Sequence, residues 1–262
     1  MHPSPTIHLS FDVEEFDLPN EYGGSVPLEQ QLEHGRLALE HITPWLRDLD
    51  MCTTFFTTSR FAEYVPDHIR EASKTHEIAS HGVRHDTFDD EDYALSKIQL
   101  EAITGKSIHG FRKPRLQPIH TSLCIEAGYA YDSSENPIKL PGRYDNRHLP
   151  RTPRYEDELL RIPISTSPTL RIPLFWLSWG NIPRWILRSA LQRALDHDGT
   201  LILFFHPWEF IEPPPGVQIP RIVRRRMGPK LQDIVDCELR KLAQRASFRR
   251  MKDILNDPVR SS

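Results

Sequence analysis

The sequence predicts an α/β protein built on a parallel sheet covered by helices. Two observations lead there. Short apolar, strand-like runs alternate with helix-periodic stretches along the chain, and a polar residue repeatedly stands where such a run ends. The first run, Thr6-Ile7-His8-Leu9-Ser10-Phe11, reads as a buried strand that empties into the acids Asp12, Glu14 and Glu15. Leu28 to Leu49 then carries Leu28, Leu32, Leu39, Ile42, Trp45, Leu46 and Leu49 close to helical spacing, and Pro44 is expected to kink or divide that helix. Residues 53–57 form a second strand, with Ser59 placed to cap the following helix. A short third strand, 77–80, runs into His81. Helices are expected at about 91–103 and 119–127 with a strand at 109–112 between them, then strands at 129–132 and 159–164. A helix at 183–195 leads into Leu201-Ile202-Leu203-Phe204-Phe205, the most apolar strand, which ends at His206. After Trp208 come a proline-rich passage, 213–220, a basic stretch to Lys230 and a helix at 230–246. No internal repeat or clean linker interrupts the pattern, so residues 1–212 read as one domain and 213–262 as a helical appendage on it.

Composition sets the outer limits. The chain has 262 residues, 38% hydrophobic and 26% charged, which is globular and excludes a disordered or fibrous protein. A net charge of −3 gives no global signal for nucleic acid. No apolar run approaches the roughly 18 residues of a spanning helix. Met1-His2-Pro3-Ser4-Pro5 offers neither the basic nor the apolar segment of a secretory signal. Cys52, Cys124 and Cys237 are widely spaced without a Cys-x-x-Cys pair, which fits reduced thiols. The expected location is cytoplasmic.

Asp12, His81, Arg112, Asp132 and His206 each stand at or just past the end of an expected strand, the rim on which α/β proteins build active sites. His81-Gly82-Val83-Arg84-His85 has the i, i+4 spacing that can place two imidazoles on one metal, although two solvated loop histidines give the same pattern. Asp12-Val13-Glu14-Glu15 supplies a hard oxygen ligand beside a free carboxylate, or simply acids capping a helix. One carboxylate with two imidazoles leaves a divalent metal an open position for water, and a spare carboxylate can act as general base. Arg112 close to that base would keep it ionised. His206, as imidazolium, could protonate a departing amine, or it could be a core histidine. Trp208, with Trp176 and Trp179, is core or a stacking surface for sugar rings. Arg221, Arg224, Arg225, Arg226 and Lys230 are a solvated face, or a contact for an anionic polymer, a phosphate-bearing lipid carrier or a membrane surface.

Taken in order, these segments resemble the polysaccharide deacetylase family, the NodB-homology deacetylases of carbohydrate esterase family four. Ser10-Phe11-Asp12 followed by Val13-Glu14-Glu15 is similar to its first motif, His81-Gly82-Val83-Arg84-His85 to its second, Arg112-Lys113-Pro114 to its third and Phe204-Phe205-His206 to its fifth. In the fourth, Asp132-Ser133-Ser134 is present, but Asn136 stands at the expected Trp position, and Val13 replaces the second Asp of the first motif. Tyr131-Asp132-Ser133-Ser134, His206-Pro207-Trp208-Glu209 and the basic C-terminal region most resemble the deacetylases of exopolysaccharide-export (exosortase-type) loci.

The resemblance implies a distorted (β/α) barrel of about seven parallel strands with a C-terminal helical extension, and a divalent metal, most commonly Zn2+, held by Glu14, His81 and His85. It implies Asp12 as base poised by Arg112, His206 as acid, and substrate contacts from Pro114, Asp132 and Trp208. Glu15 is the alternative carboxylate ligand. The implied partner is an N-acetylated glycan, possible at the membrane face as a lipid-linked intermediate, and no nucleic acid. Two other readings stand beside it: a hydrolase of small non-sugar amides, allantoinase- or deformylase-like, and a carbohydrate-binding protein whose catalytic centre has decayed.

Overall fold

The computed structural model describes residues 4–140, 144–225 and 227–256. Its strands are β1 (Thr6–Val13), β2 (Thr54–Thr57), β3 (Glu77–Ser80), β4 (Gly110–Phe111), β5 (Tyr131–Asp132), β6 (Lys139–Leu140), β7 (Tyr144–Asp145), β8 (Arg154–Glu156), β9 (Leu159–Arg161), β10 (Thr200–Phe205) and β11 (Ser247–Phe248). The helices are α1 (Leu28–Asp48), α2 (Ser59–Tyr64), α3 (Pro66–Ala72), α4 (Asp92–Thr104), α5 (Thr121–Glu126), α6 (Trp176–Trp179), α7 (Arg184–Asp198), α8 (Arg221–Arg224) and α9 (Pro229–Ala243). The main sheet runs β10-β1-β2-β3-β4-β5-β9-β8, and every pair in it is parallel except β8 with β9. Seven parallel strands thus curl as the α/β barrel expectation requires. The gap between β9 and β10 is bridged where Ser165 N donates to Ile202 O (3.0 Å) and Ile202 N to Ser165 Oγ (2.8 Å).

Side-chain alternation divides the strands between two cores, because successive residues of a strand point to opposite faces. Ile7, Leu9, Phe11 and Val13 of β1, Phe55, Ile78, Phe111, and Leu201, Leu203 and Phe205 of β10 pack outward beneath the helices. Phe56, Ala79, Tyr131, Leu160, Ile202 and Phe204 fill the lumen. Gly110 shares the lumen face with Tyr131: a Cβ there would lie 1.9 Å from the tyrosine Cζ, so no larger residue fits.

Several local expectations change. Helix α1 continues across Pro44 without dividing; the proline removes only its own N–H from the helical ladder. Ser59 is the first residue of α2 rather than its cap, and its hydroxyl donates to Gln99 Oε1 (2.6 Å). The hairpin β6–β7 and the antiparallel edge strand β8 lie in a short, polar stretch that carries no strand periodicity.

The C-terminal segment is stitched into the barrel floor. Strand β11 pairs with the start of β1, below the point where β2 begins, and Met251 N and Lys252 N donate to Thr54 Oγ1 and Glu77 Oε2 (2.8 and 2.9 Å). Helix α9 buries Leu231, Val235, Leu239 and Leu242 in the outer core. Of the basic cluster, Arg221, Arg224, Arg225 and Lys230 are exposed, while Arg226, like residues 1–3, lies outside the described residues. No helix among the described residues is long and apolar enough to cross a membrane.

Candidate active site

Asp12, His81, Arg112 and His206 share one phase. His81 and His206 stand two residues past the lumen residues Ala79 and Phe204, and Asp12 and Arg112 alternate with the outward Phe11 and Phe111, so all four turn inward at the barrel's C-terminal rim. Asp132 has the opposite phase, because its neighbour Tyr131 takes the lumen position. It does not line the cavity, which corrects the expectation of substrate contact. Instead Asp132 Oδ2 accepts from Arg161 Nε (3.1 Å) and from Ser134 N (3.2 Å) behind the rim.

The Arg112 side chain is fully buried, its guanidinium 3.9 Å from the centre of the Phe56 ring. Its Nη1 donates to Asp12 Oδ1 (2.5 Å), while Nε and Nη2 donate to Ser133 O and Oγ (both 3.1 Å). Burial alone would raise the Asp12 pKa, but the Arg112 charge, with His81 and His206, holds it below the ordinary carboxylate value. The Arg112 carbonyl also serves: it accepts from His81 Nδ1 (2.8 Å).

The loop after β3 carries both imidazoles of the His-x-x-x-His pair. Gly82, at φ +80°, makes the turn that follows His81, a left-handed backbone that other residues adopt at a cost. His81 Nδ1 is engaged by the Arg112 carbonyl, and His85 Nδ1 by Asp17 Oδ1 (2.8 Å). With hydrogen on both Nδ1 atoms, both Nε2 atoms present lone pairs. They face Glu14 Oε2 at 3.1 Å (His81) and 3.5 Å (His85), and that buried oxygen has no hydrogen-bond partner. Lone pairs converging at such distances call for a cation or a proton between them.

Donor atoms of Glu14, His81 and His85 all lie within 4.8 Å of one another, and one oxygen with two imidazole nitrogens suits zinc or a similar divalent ion. Glu15 is elsewhere: its Oε2 accepts from Thr58 Oγ1 (2.8 Å) and its Oε1 faces Arg60 Nε (3.4 Å). Burial, together with the charges of Asp17, Asp12 and Glu15, lifts Glu14 well above the usual carboxylate value against the pull of His85. Burial disfavours charge on His85, yet Glu14 and Asp17 outweigh it and raise its pKa to about 9.

On the other flank, His206 Nε2 stands 3.9 Å from Asp12 Oδ2 and 3.7 Å from Glu14 Oε1. Glu209 Oε1 accepts from both His206 N (2.6 Å) and His206 Nδ1 (2.8 Å). Burial takes the His206 pKa down to about 3, so its resting form is neutral rather than the imidazolium expected from the sequence. Trp208 is stacked on the His206 ring, centroids 4.5 Å apart, and Trp176 meets it edge-on at 5.8 Å. Both line a cavity of about 320 Å³ that also holds Asp12, Glu14, His85 and His206. Trp179 is core, its Nε1 donating to Leu174 O (3.2 Å).

Pro114 is buried beside Gly82 and does not line this cavity; Arg115 and Leu116 do. The proline opens a turn in which both successors take left-handed backbone (φ +59° and +51°). Arg115 Nη2 and Nε meet Asp17 Oδ2 (3.2 Å) and Glu21 Oε1 (3.0 Å). No motif spacing in the sequence marks Asp17, Arg115 or Glu209 as a site residue. The one available hint was an acid or base a few residues from a motif.

Residues 3–131 match the family model described as polysaccharide deacetylase, and residues 133–256 match a domain of unknown function, DUF3473. Just under half of the chain is thus similar to polysaccharide deacetylase domains. No curated protein matches the sequence. Among solved structures, a protein from Mycobacterium smegmatis assigned as a polysaccharide deacetylase is 18% identical, with a TM-score of 0.67 over 98% of this chain and 91% of its own. The Puue allantoinase is 18% identical, with a TM-score of 0.63 over 98% and 91%. A CE4 family pseudoenzyme from Bacillus anthracis is 12% identical, with a TM-score of 0.54 over 97% of this chain and 66% of its own. At these identities the likeness is one of fold, shared by proteins of different activity. The region similar to deacetylases supplies Asp12, Glu14, His81, His85 and Arg112, and the second region supplies Asn136, Trp208, His206 and Glu209.

Proposed function

We propose that the protein is a metal-dependent hydrolase that removes N-acetyl groups from amino sugars in a polysaccharide or a lipid-linked glycan precursor, in the cytoplasm. The observation that carries this reading is the convergence of Glu14, His81 and His85 on one point beside Asp12 and His206. Glu14, His81 and His85 would hold the ion, taken to be Zn2+. A divalent ion bound there supplies Lewis acidity to the acetyl carbonyl and to water.

Asp12, kept ionised by Arg112, accepts a proton from the attacking water as its oxygen bonds to the acetyl carbon. The carbon–nitrogen bond then breaks. His206, neutral at rest, takes up the proton and delivers it from Nε2 to the leaving nitrogen, while Glu209 on Nδ1 supports the transient imidazolium. Acetate and a free amine result. Trp176 and Trp208 give the sugar ring an apolar wall beside the reacting group. On this reading residues 213–256 are an extension that braces the barrel. The sequences at 131–134 and 206–209 support membership of the exopolysaccharide-export subgroup.

The test pairs zinc content with acetate release from N-acetylglucosamine oligomers. His81→Ala should lose both zinc and activity. Asp12→Asn should keep zinc while activity falls by at least about a hundredfold. Full zinc retention in His81→Ala would refute the ligand assignment, and zinc loss in Asp12→Asn would make Asp12 a ligand.

A further inference from the structure

The loop that joins β5 to the hairpin is fastened at three successive residues. Ser133 receives Arg112, Ser134 Oγ accepts from Lys113 N (2.8 Å), and Glu135 accepts from both terminal nitrogens of Arg154 (2.7 and 2.8 Å). Asn136 follows, 2% exposed, in the wall of the cavity that contains Asp12, Glu14 and His206. Its Nδ2 donates to Tyr144 Oη (3.1 Å). Its Oδ1 is buried and has no hydrogen-bond partner. A desolvated carbonyl left unpaired is a standing cost, and a rigid loop that maintains it at a cavity wall is preorganised for a donor that arrives with the ligand.

We infer that Asn136 is a specificity residue whose Oδ1 accepts a hydrogen bond from a ring hydroxyl of the bound sugar. The inference rests on the deacetylase reading and deepens it. The aromatic wall of Trp176 and Trp208 suits the apolar face of a sugar, and hydroxyls at the ring edge are the donors such a ligand brings. A small amide without hydroxyls leaves Oδ1 unpaired, and sites built around a buried polar group reject analogues that cannot pair with it. Asn136 therefore selects glycans over simple amides.

The experiment measures kcat/KM for acetate release from N,N′-diacetylchitobiose and its monodeoxy analogues, using zinc-loaded wild type, Asn136→Leu and Asn136→Asp. Wild type should lose about tenfold or more on one analogue. Asn136→Leu should lose a similar factor on the parent and nothing further on that analogue. Asn136→Asp, which keeps an acceptor oxygen, should retain the discrimination and so covers a leucine variant that fails to fold. A common loss on every substrate, as a purely structural role predicts, would overturn the inference. So would unchanged rates in Asn136→Leu, loss of discrimination in a folded Asn136→Asp, or a wild type indifferent to every analogue; all of these leave the deacetylase reading standing. No acetate from the parent overturns both.

Discussion

His85 is claimed by acids at both ring nitrogens, Asp17 at Nδ1 and Glu14 near Nε2. That arrangement raises its pKa to about 9, so in the metal-free protein it is an imidazolium at neutral pH. The sign follows from linkage: the stability it contributes is fully present below the ordinary histidine value and is lost as pH rises through about 9. A metal needs the opposite form, a neutral imidazole with its Nε2 lone pair free, so zinc competes with a proton here. Zinc binding at pH 7 should release protons, and affinity should weaken as pH falls. Calorimetry in two buffers of different ionisation enthalpy checks this; identical apparent enthalpies would sink it. Asp17 orients the ring and supports its basicity towards the metal. Asp17→Asn should therefore weaken zinc affinity by roughly 10–100-fold, measured against a competing chelator.

One short element carries the opposite flank. The 3-10 turn Pro207–Phe210 follows β10, and its Glu209 reaches back to the backbone and ring of His206 through a single oxygen. Glu209→Gln leaves an oxygen for both donors but removes the charge that supports an imidazolium. Zinc content should stay at the wild-type level while kcat falls by about tenfold or more. An unchanged kcat would show Glu209 to be a cap and nothing else. The strands themselves were largely legible in the sequence: apolar runs at 6–11, 53–57, 77–80 and 201–205 all became strands of the main sheet. What could not be read was their phase. Asp12, His81, Arg112 and His206 face the lumen because of how each strand is registered against its neighbours, and Asp132 faces away for the same reason. Strands of two residues, such as β4 and β5, are too short to display alternation on their own. Asp17, Arg115 and Glu209 stayed hidden because their roles depend on side chains reaching across turns, which no local spacing encodes.

At the scale of the whole molecule, the boundary between the two family matches near residue 132 is not a boundary of folding. β1 is the central strand of the sheet's most apolar region, and one of its edges is covered by β10 through six registered pairs, Thr6 with Thr200 to Phe11 with Phe205. Strand β4 finds β5 at the very end of the first match, and β5 in turn needs β9 from the second. The floor is closed by β11 and by Met251, which sits fully buried in the lumen core. A chain ending at residue 132 would leave β1 with a long, apolar, unpaired edge, and such edges recruit other chains. It would also expose the faces of Phe11 and Trp45 that meet Phe205 and Phe210. Residues 1–132 produced alone should therefore aggregate or remain without cooperative thermal unfolding, even though they hold Glu14, His81 and His85. Produced together with residues 133–262, they should regain a cooperative transition and zinc binding, because the missing edges and the His206 flank return with the second piece. A monomeric, cooperatively melting 1–132 fragment would show that the first match folds independently, and that β10 and β11 decorate a barrel which can stand without them.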